Sequence, residues 1–171
     1  CFTWSEVDRE VNRTARAFQE LGIQQGDVVA LLMDNRPEFL FAVTALNRLR
    51  AAAALINTNI SGTALVHAIK IAEPVAVLAG QEHHEKVEAV VPELEPLSKD
   101  RVFIQGDGGN NEPGGFRSFD EQLANQGYEN LHEVSKPHID DLFGYIYTSG
   151  TTGLPKAAVV LNKRILSPGA M

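Results

Sequence analysis

The chain has 171 residues, a length that holds one ordinary domain or part of a larger one. Hydrophobic residues make up 44%, which excludes wholesale disorder, and a net charge of −7 with no basic block excludes a nucleic-acid-binding surface. A local anion site stays compatible with that charge, because backbone N–H groups and a single lysine suffice to hold phosphate.

The first segment, FTWSEVDREVNRTARAFQELG, reads as a helix. Thr3 and Glu6 form a T-x-x-E capping box. Val7, Val11, Ala15, Phe18 and Leu21 recur at helical spacing, and Gly22 is a stop. GDVVALLM, Gly26 to Met33, is a short apolar run after a turn, a buried strand. Asn35-Arg36-Pro37 opens a second helix, with Pro37 in its first turn, running to about Arg50. AAAALIN, Ala51 to Asn57, follows as a second strand. Ser61 to Ala72 is helical, with Leu65, Ile69 and Ala72 on one side and His67 packed or half-exposed within it. PVAVLAG, Pro74 to Gly80, is a third strand, Glu82 to Leu94 an amphipathic helix, and RVFIQ, Arg101 to Gln105, a fourth strand. This alternation predicts an α/β fold, a mostly parallel sheet flanked by helices. A glycine-rich, flexible loop is expected near 106–116, then a short helix at Ser118 to Gln126 with Phe119 and Leu123 inward. Leu131 to Val134 has the makings of one helical turn. DLFGYIYTS leads as a strand into YTSGTTGLPK, and AAVVL, Ala157 to Leu161, leads out as another; Tyr145 and Tyr147 share one face of the incoming strand.

The other polar groups read as ordinary surface chemistry. His83 and His84 are adjacent, so they do not share a helix face as i, i+4 ligands do, and they read as surface histidines; no metal site is assigned. Glu82, Glu85, Glu88, Glu93 and Glu95 form a solvated acidic face. Arg48 and Arg50 suit the C-terminal dipole of the second helix. The one cysteine, Cys1, supports neither a disulfide framework nor CxxC metal spacing, and it fits a reducing, cytoplasmic compartment. The stretch Phe39 to Ile56 is interrupted by Asn47, Arg48 and Arg50 and is too polar to span a bilayer.

The loop from Thr148 to Lys156 carries the chemistry. Gly150 and Gly153 can take positive φ and bring backbone N–H groups close to a ligand without a Cβ in the way. Thr148, Ser149, Thr151 and Thr152 add hydroxyl donors that reach phosphate oxygen. Pro155 stiffens the exit, and Lys156 is a mobile ammonium able to follow charge between phosphates. The pattern is not a Walker loop: Pro155 precedes the lysine, Ala157 stands where Ser or Thr is required, and a strand follows instead of a helix. For S-G-T-T-G alone, a hydroxyl-rich turn without ligand is the simpler explanation.

The longer string changes that balance. YIYTSGTTGLPKAAVV closely resembles the phosphate-binding signature of adenylate-forming enzymes. It is most similar to the branch of very-long-chain acyl-CoA synthetases, or fatty acid transport proteins. FTWSEVDREVNRTARAFQELGIQQGDVVALLMDNRPEFL resembles the opening of that family's N-terminal domain, and AAAALINTNISGTALVHAI the stretch after it, with the N-T-N of this branch. The resemblance implies a two-step reaction. A fatty acid is activated with ATP and Mg²⁺ to acyl-AMP and pyrophosphate, and coenzyme A then displaces AMP. Thr148, Ser149, Gly150, Thr151, Thr152 and Gly153 would cradle the β- and γ-phosphates. Lys156, the catalytic residue by this resemblance, would neutralise the leaving pyrophosphate. Many relatives have a histidine six residues after the motif lysine, where this chain has Asn162. The acyl pocket, adenine segment, magnesium-binding glutamate and C-terminal domain of the family would lie beyond Leu161. Residues 1–171 are therefore expected to be an incomplete N-terminal (AMP-binding) domain, inactive alone, with the C-terminal domain absent. Peripheral membrane association of the longer parent stays open. So do an adenylating enzyme for another carboxylic acid and a non-catalytic binding or transport module.

Overall fold

A computed structural model describes residues 1–106, 113–131, 136–148 and 154–166. Helix α1, Trp4–Glu20, starts at the predicted box: Glu6 N–H donates to Thr3 Oγ1 at 3.3 Å, and the Glu6 carboxylate accepts from Thr3 N–H at 2.7 Å. It ends before Gly22, which takes φ 79. Helix α2, Pro37–Arg48, begins on Pro37, whose missing N–H costs nothing in the first turn. Helix α3 is Gly62–Ile71 and α5 is Phe119–Ala124. The predicted helix over Glu82 to Leu94 is broken. Only His84–Val90 (α4) is α-helical, between single 3₁₀ turns at Gln81–His83 and Val91–Glu93. Pro92 has no N–H to continue the ladder, which accounts for the break.

The strands are β1 Val28–Leu32, β2 Ala52–Leu55, β3 Ala76–Gly80, β4 Val102–Gln105, β5 Arg117–Ser118, β6 Leu142–Thr148 and β7 Lys156–Leu161. They form one sheet in the order β5-β4-β3-β1-β2-β6-β7, parallel throughout except for the last pair. β5 was not anticipated, since two residues leave no readable period. The segment at β1 to β5 is the doubly wound order 2-1-3-4-5, with its switch point between β1 and β3. β6 docks in parallel on the far side of β2, and β7 folds back beside it.

Side-chain alternation in the strands divides the core in two. Val29, Leu31, Ala53, Leu78 and Phe103 face α1, α2 and α5, meeting Phe18, Leu46 and Phe119. Ala30, Leu32, Ala54, Val77 and Ile104 face α3 and α4, meeting Leu65, Ile69 and Val87. β1 and β3 are buried along their whole length, as strands covered on both faces must be. A side chain such as Phe18, 2% exposed, contributes about 1.5–3 kcal/mol through burial. Tyr145 and Tyr147 do share a face, packing on the α3 side, while Phe143 packs on the other. Residues 107–112 of the predicted 106–116 loop lie outside the described residues; at its end, Phe116 is only 7% exposed. The possible helical turn at Leu131 to Val134 also lies largely outside them. No helix among the described residues is long and apolar enough to cross a membrane.

Candidate phosphate-binding hairpin

Because β6 runs parallel to β1–β4, the segment that follows it leaves from the carboxyl edge of the sheet, the edge where ligands of open α/β sheets bind. Thr148 closes β6 and Lys156 opens β7, and the two are directly paired. Paired residues project to the same side, with Cβ atoms about 5 Å apart. Both are exposed, so the hydroxyl and the ammonium flank the mouth of the hairpin from one face. Ser149, Gly150, Thr151, Thr152 and Gly153 lie outside the described residues.

The base of the hairpin is held by groups that sequence reasoning had assigned elsewhere or passed over. Arg50 does not serve the α2 dipole. It grips Asp141 in a fork, Nε to Oδ2 and Nη2 to Oδ1, both 2.7 Å, with side chains 21% and 16% exposed. The guanidinium first, then the His138 N–H, hold the Asp141 carboxyl down from its ordinary 3.8 to about 2. Asn162 sits just beyond β7 and is 6% exposed. Its Oδ1 accepts from Asn47 Nδ2 at 2.6 Å, its Nδ2 donates to the His138 carbonyl at 2.8 Å, and its N–H donates to the Asp141 carbonyl at 3.0 Å. It stands six positions along the strand from Lys156, a span of about 20 Å. An amide with both ends engaged at that distance cannot serve the phosphates. Asn162 is a bolt between α2 and the hairpin base.

The top of the hairpin is held by α3. Tyr147 Oη donates to the Ala68 carbonyl at 2.7 Å, and His67 Nε2 lies 3.1 Å from the Pro155 carbonyl oxygen. Burial pushes the Tyr147 phenol up, so it stays a neutral donor. None of these ties had a local sequence signal, apart from the alternation that put Tyr147 on the α3 face.

Further along the same edge, Arg36 donates from Nη2 to the Gln105 carbonyl at the end of β4 and lies beside Glu82, while Asp34 after β1 meets His83 after β3. His83 is not a surface residue as expected: it is 7% exposed, with Nε2 2.9 Å from Asp34 Oδ1. Ligand atoms of Asp34, Glu82 and His83 lie within 4.8 Å of one another. Arg36 Nη1 is 3.6 Å from Glu82 Oε2, and the hydrogen bond from His83, with Lys86 adding least, holds the Asp34 carboxyl below its usual range. The group is an ion-pair network closing the switch point.

A doubly wound α/β sheet extended by a hydroxyl-and-glycine hairpin defines the architectural class. The model of the AMP-binding enzyme family matches residues 1–170, and the chain belongs to that family. It is 36% identical over 169 residues to long-chain fatty acid transport protein 6 of Mus musculus, covering 96% of this chain and 26% of that protein. Among solved structures it superposes on a fatty acyl CoA synthetase of Mycobacterium tuberculosis with a TM-score of 0.80 at 25% identity, over 96% of this chain and 30% of that one. It also superposes on an anthranilate CoA ligase in complex with anthranoyl-AMP, with a TM-score of 0.80 at 25% identity, over 92% and 29%. The chain thus spans about a quarter of the length of the curated relative it matches.

Proposed function

We propose that this chain supplies the phosphate-handling hairpin of an AMP-forming fatty acyl-CoA synthetase. The observation that carries the reading is the string TSGTTGLPK placed between two paired strands at the carboxyl edge of the sheet, in a chain matched along its length by the AMP-binding enzyme family. In the first step a fatty carboxylate oxygen attacks the α-phosphorus of Mg-ATP. The bond to the bridging oxygen breaks, giving acyl-AMP and pyrophosphate. In the second step the thiol of coenzyme A attacks the acyl carbon, releases AMP and loses its proton. Thr148 and the hydroxyls and N–H groups of Ser149 to Gly153 hold the β- and γ-phosphates. Lys156 meets the negative charge that grows on the leaving pyrophosphate; this is electrostatic stabilisation, with no proton transfer. Mg²⁺ arrives with ATP. Neither carboxylate flanking the hairpin base is assigned to it, because Asp141 is paired with Arg50 and Asp140 with Lys163.

The acid is assigned from the likeness to a fatty acid transport protein and a fatty acyl CoA synthetase; the likeness to an anthranilate CoA ligase supports the reaction class but not that acid. The test is acid-dependent ATP–pyrophosphate exchange by the longer protein that carries this chain, with long fatty acids, benzoate and an amino-acid mixture compared. Exchange with fatty acids is expected, and Lys156→Ala should lower it about 10²–10³-fold, as removing one oxyanion-stabilising donor does. Exchange with benzoate or amino acids alone would reassign the acid. Unchanged exchange in the variant would remove Lys156 from the site. No exchange with any acid would favour a binding module that keeps the fold without turnover.

A further inference from the structure

We propose that His67 is a positioning residue that aims Lys156. This rests on the reading above and extends it to a residue outside the loop. Pro155 has no N–H, so its carbonyl is its only backbone polar group, and its ring holds φ near −65°. The contact from His67 Nε2 to that carbonyl, 3.1 Å, constrains the remaining dihedral, ψ. With φ and ψ of Pro155 both held, the direction in which the next residue leaves the backbone is fixed. That residue is Lys156.

The other arm is held from the same helix. Ala68 carries one of the last four carbonyls of α3, which have no intrahelical acceptor role to fill. The Tyr147 hydroxyl takes it at 2.7 Å, one residue before Thr148. Two consecutive residues of α3 therefore hold the chain just before and just after the segment that presents Thr148 and Lys156. His67 is half-buried between the helix and the hairpin, and Leu65 and Ile69 anchor its helix in the core at 0% and 1% exposure. The tie is thus made from a rigid element, which is what keeps a binding group close to its working geometry. An ammonium on a flexible stem benefits most, and Lys156 is exposed, with its backbone paired to Thr148 at the mouth of the hairpin.

The test compares His67→Asn, whose amide stops short of the Nε2 position, with His67→Gln, whose amide reaches it. Kinetics are measured on the longer protein, and tryptic cleavage after Lys156 on this 171-residue chain. His67→Asn should lower the adenylation rate or raise KM for ATP about three- to tenfold, the worth of one neutral hydrogen bond, leaving KM for the fatty acid and the melting midpoint unchanged. It should also speed cleavage after Lys156, and His67→Gln should restore both. Kinetics like wild type in His67→Asn overturn the proposal. So does a loss shared equally by ATP, acid and stability that Gln does not rescue, which would mark a packing residue. If the wild-type protein exchanges no acid at all, the functional reading fails while the tether is still decided by cleavage: faster in Asn and restored in Gln sustains it, equal rates in all three overturn it.

Discussion

Arg50 stands at φ 59, a left-handed position after a helix that glycine usually takes. The residue keeps its side chain because that side chain reaches 91 positions along the chain to Asp141. Sequence spacing gives no sign of such a pair; Arg50 next to Arg48 looked like a complement to the helix end. The same holds for His67 and Asn162, whose partners are 88 and 115 positions away. Thr148 and Lys156 stand out in the sequence because the chemistry proposed for them is written in one short run, and their pairing across the hairpin follows from the two strands around them. Asp141 has a depressed carboxyl, so its contribution to stability is complete above 3.8 and is lost as pH falls toward about 2. Asp141→Asn should therefore lower the urea midpoint at neutral pH, with the gap to wild type closing between those two values. A gap that persists at pH 2 would show that the fork contributes through packing and not through charge.

Elements with a local start and stop were readable. The α1 box, the Pro37 start of α2 and the four inner strands sit within a few residues of their predicted bounds, because capping and buried apolar runs are local physics. The helix over 82–94 failed because apolar spacing outweighed Pro92 in the reading, whereas the missing N–H outweighs spacing in the fold. The side of the sheet that β6 would join had no signal in sequence, but one residue of β6 makes the choice physical. Gly144 lies against β2 so closely that a Cβ there would sit 2.2 Å from the Ala53 carbonyl oxygen. Backbone cannot give way as a side-chain tip can. Gly144→Ala should cost about 1–3 kcal/mol, the usual penalty for overpacking, seen in chemical denaturation and in faster amide exchange along Ala52–Leu55. A variant as stable as wild type would mean that β6 docks more loosely than the register implies.

At the scale of the whole molecule the α/β layers were legible in the sequence. β1 to β4 are covered on both faces, but β7 ends the sheet with Val159 63% exposed on one face, and on the other face of the hairpin Ile146 is 43% exposed. Its outer N–H and C=O groups have no strand next to them among the described residues. This 171-residue chain is expected to self-associate with rising concentration, and Val159→Lys should shift it toward monomer in light scattering without moving its melting midpoint. Unchanged association in that variant would place the sticky surface elsewhere. The order of the strands also sets a timetable for synthesis. The ties that reach the hairpin from α2, β2 and α3, at Asn47, Arg50, Ala53, His67 and Ala68, are made by residues translated 79 to 115 positions earlier. A ribosome reaching residue 138 has already released the floor, with the rim of β2 bare and waiting. A pause there, or a slow codon just upstream, leaves that rim open to any other nascent strand, so the interval between the two events is when this protein is most easily lost to misassembly.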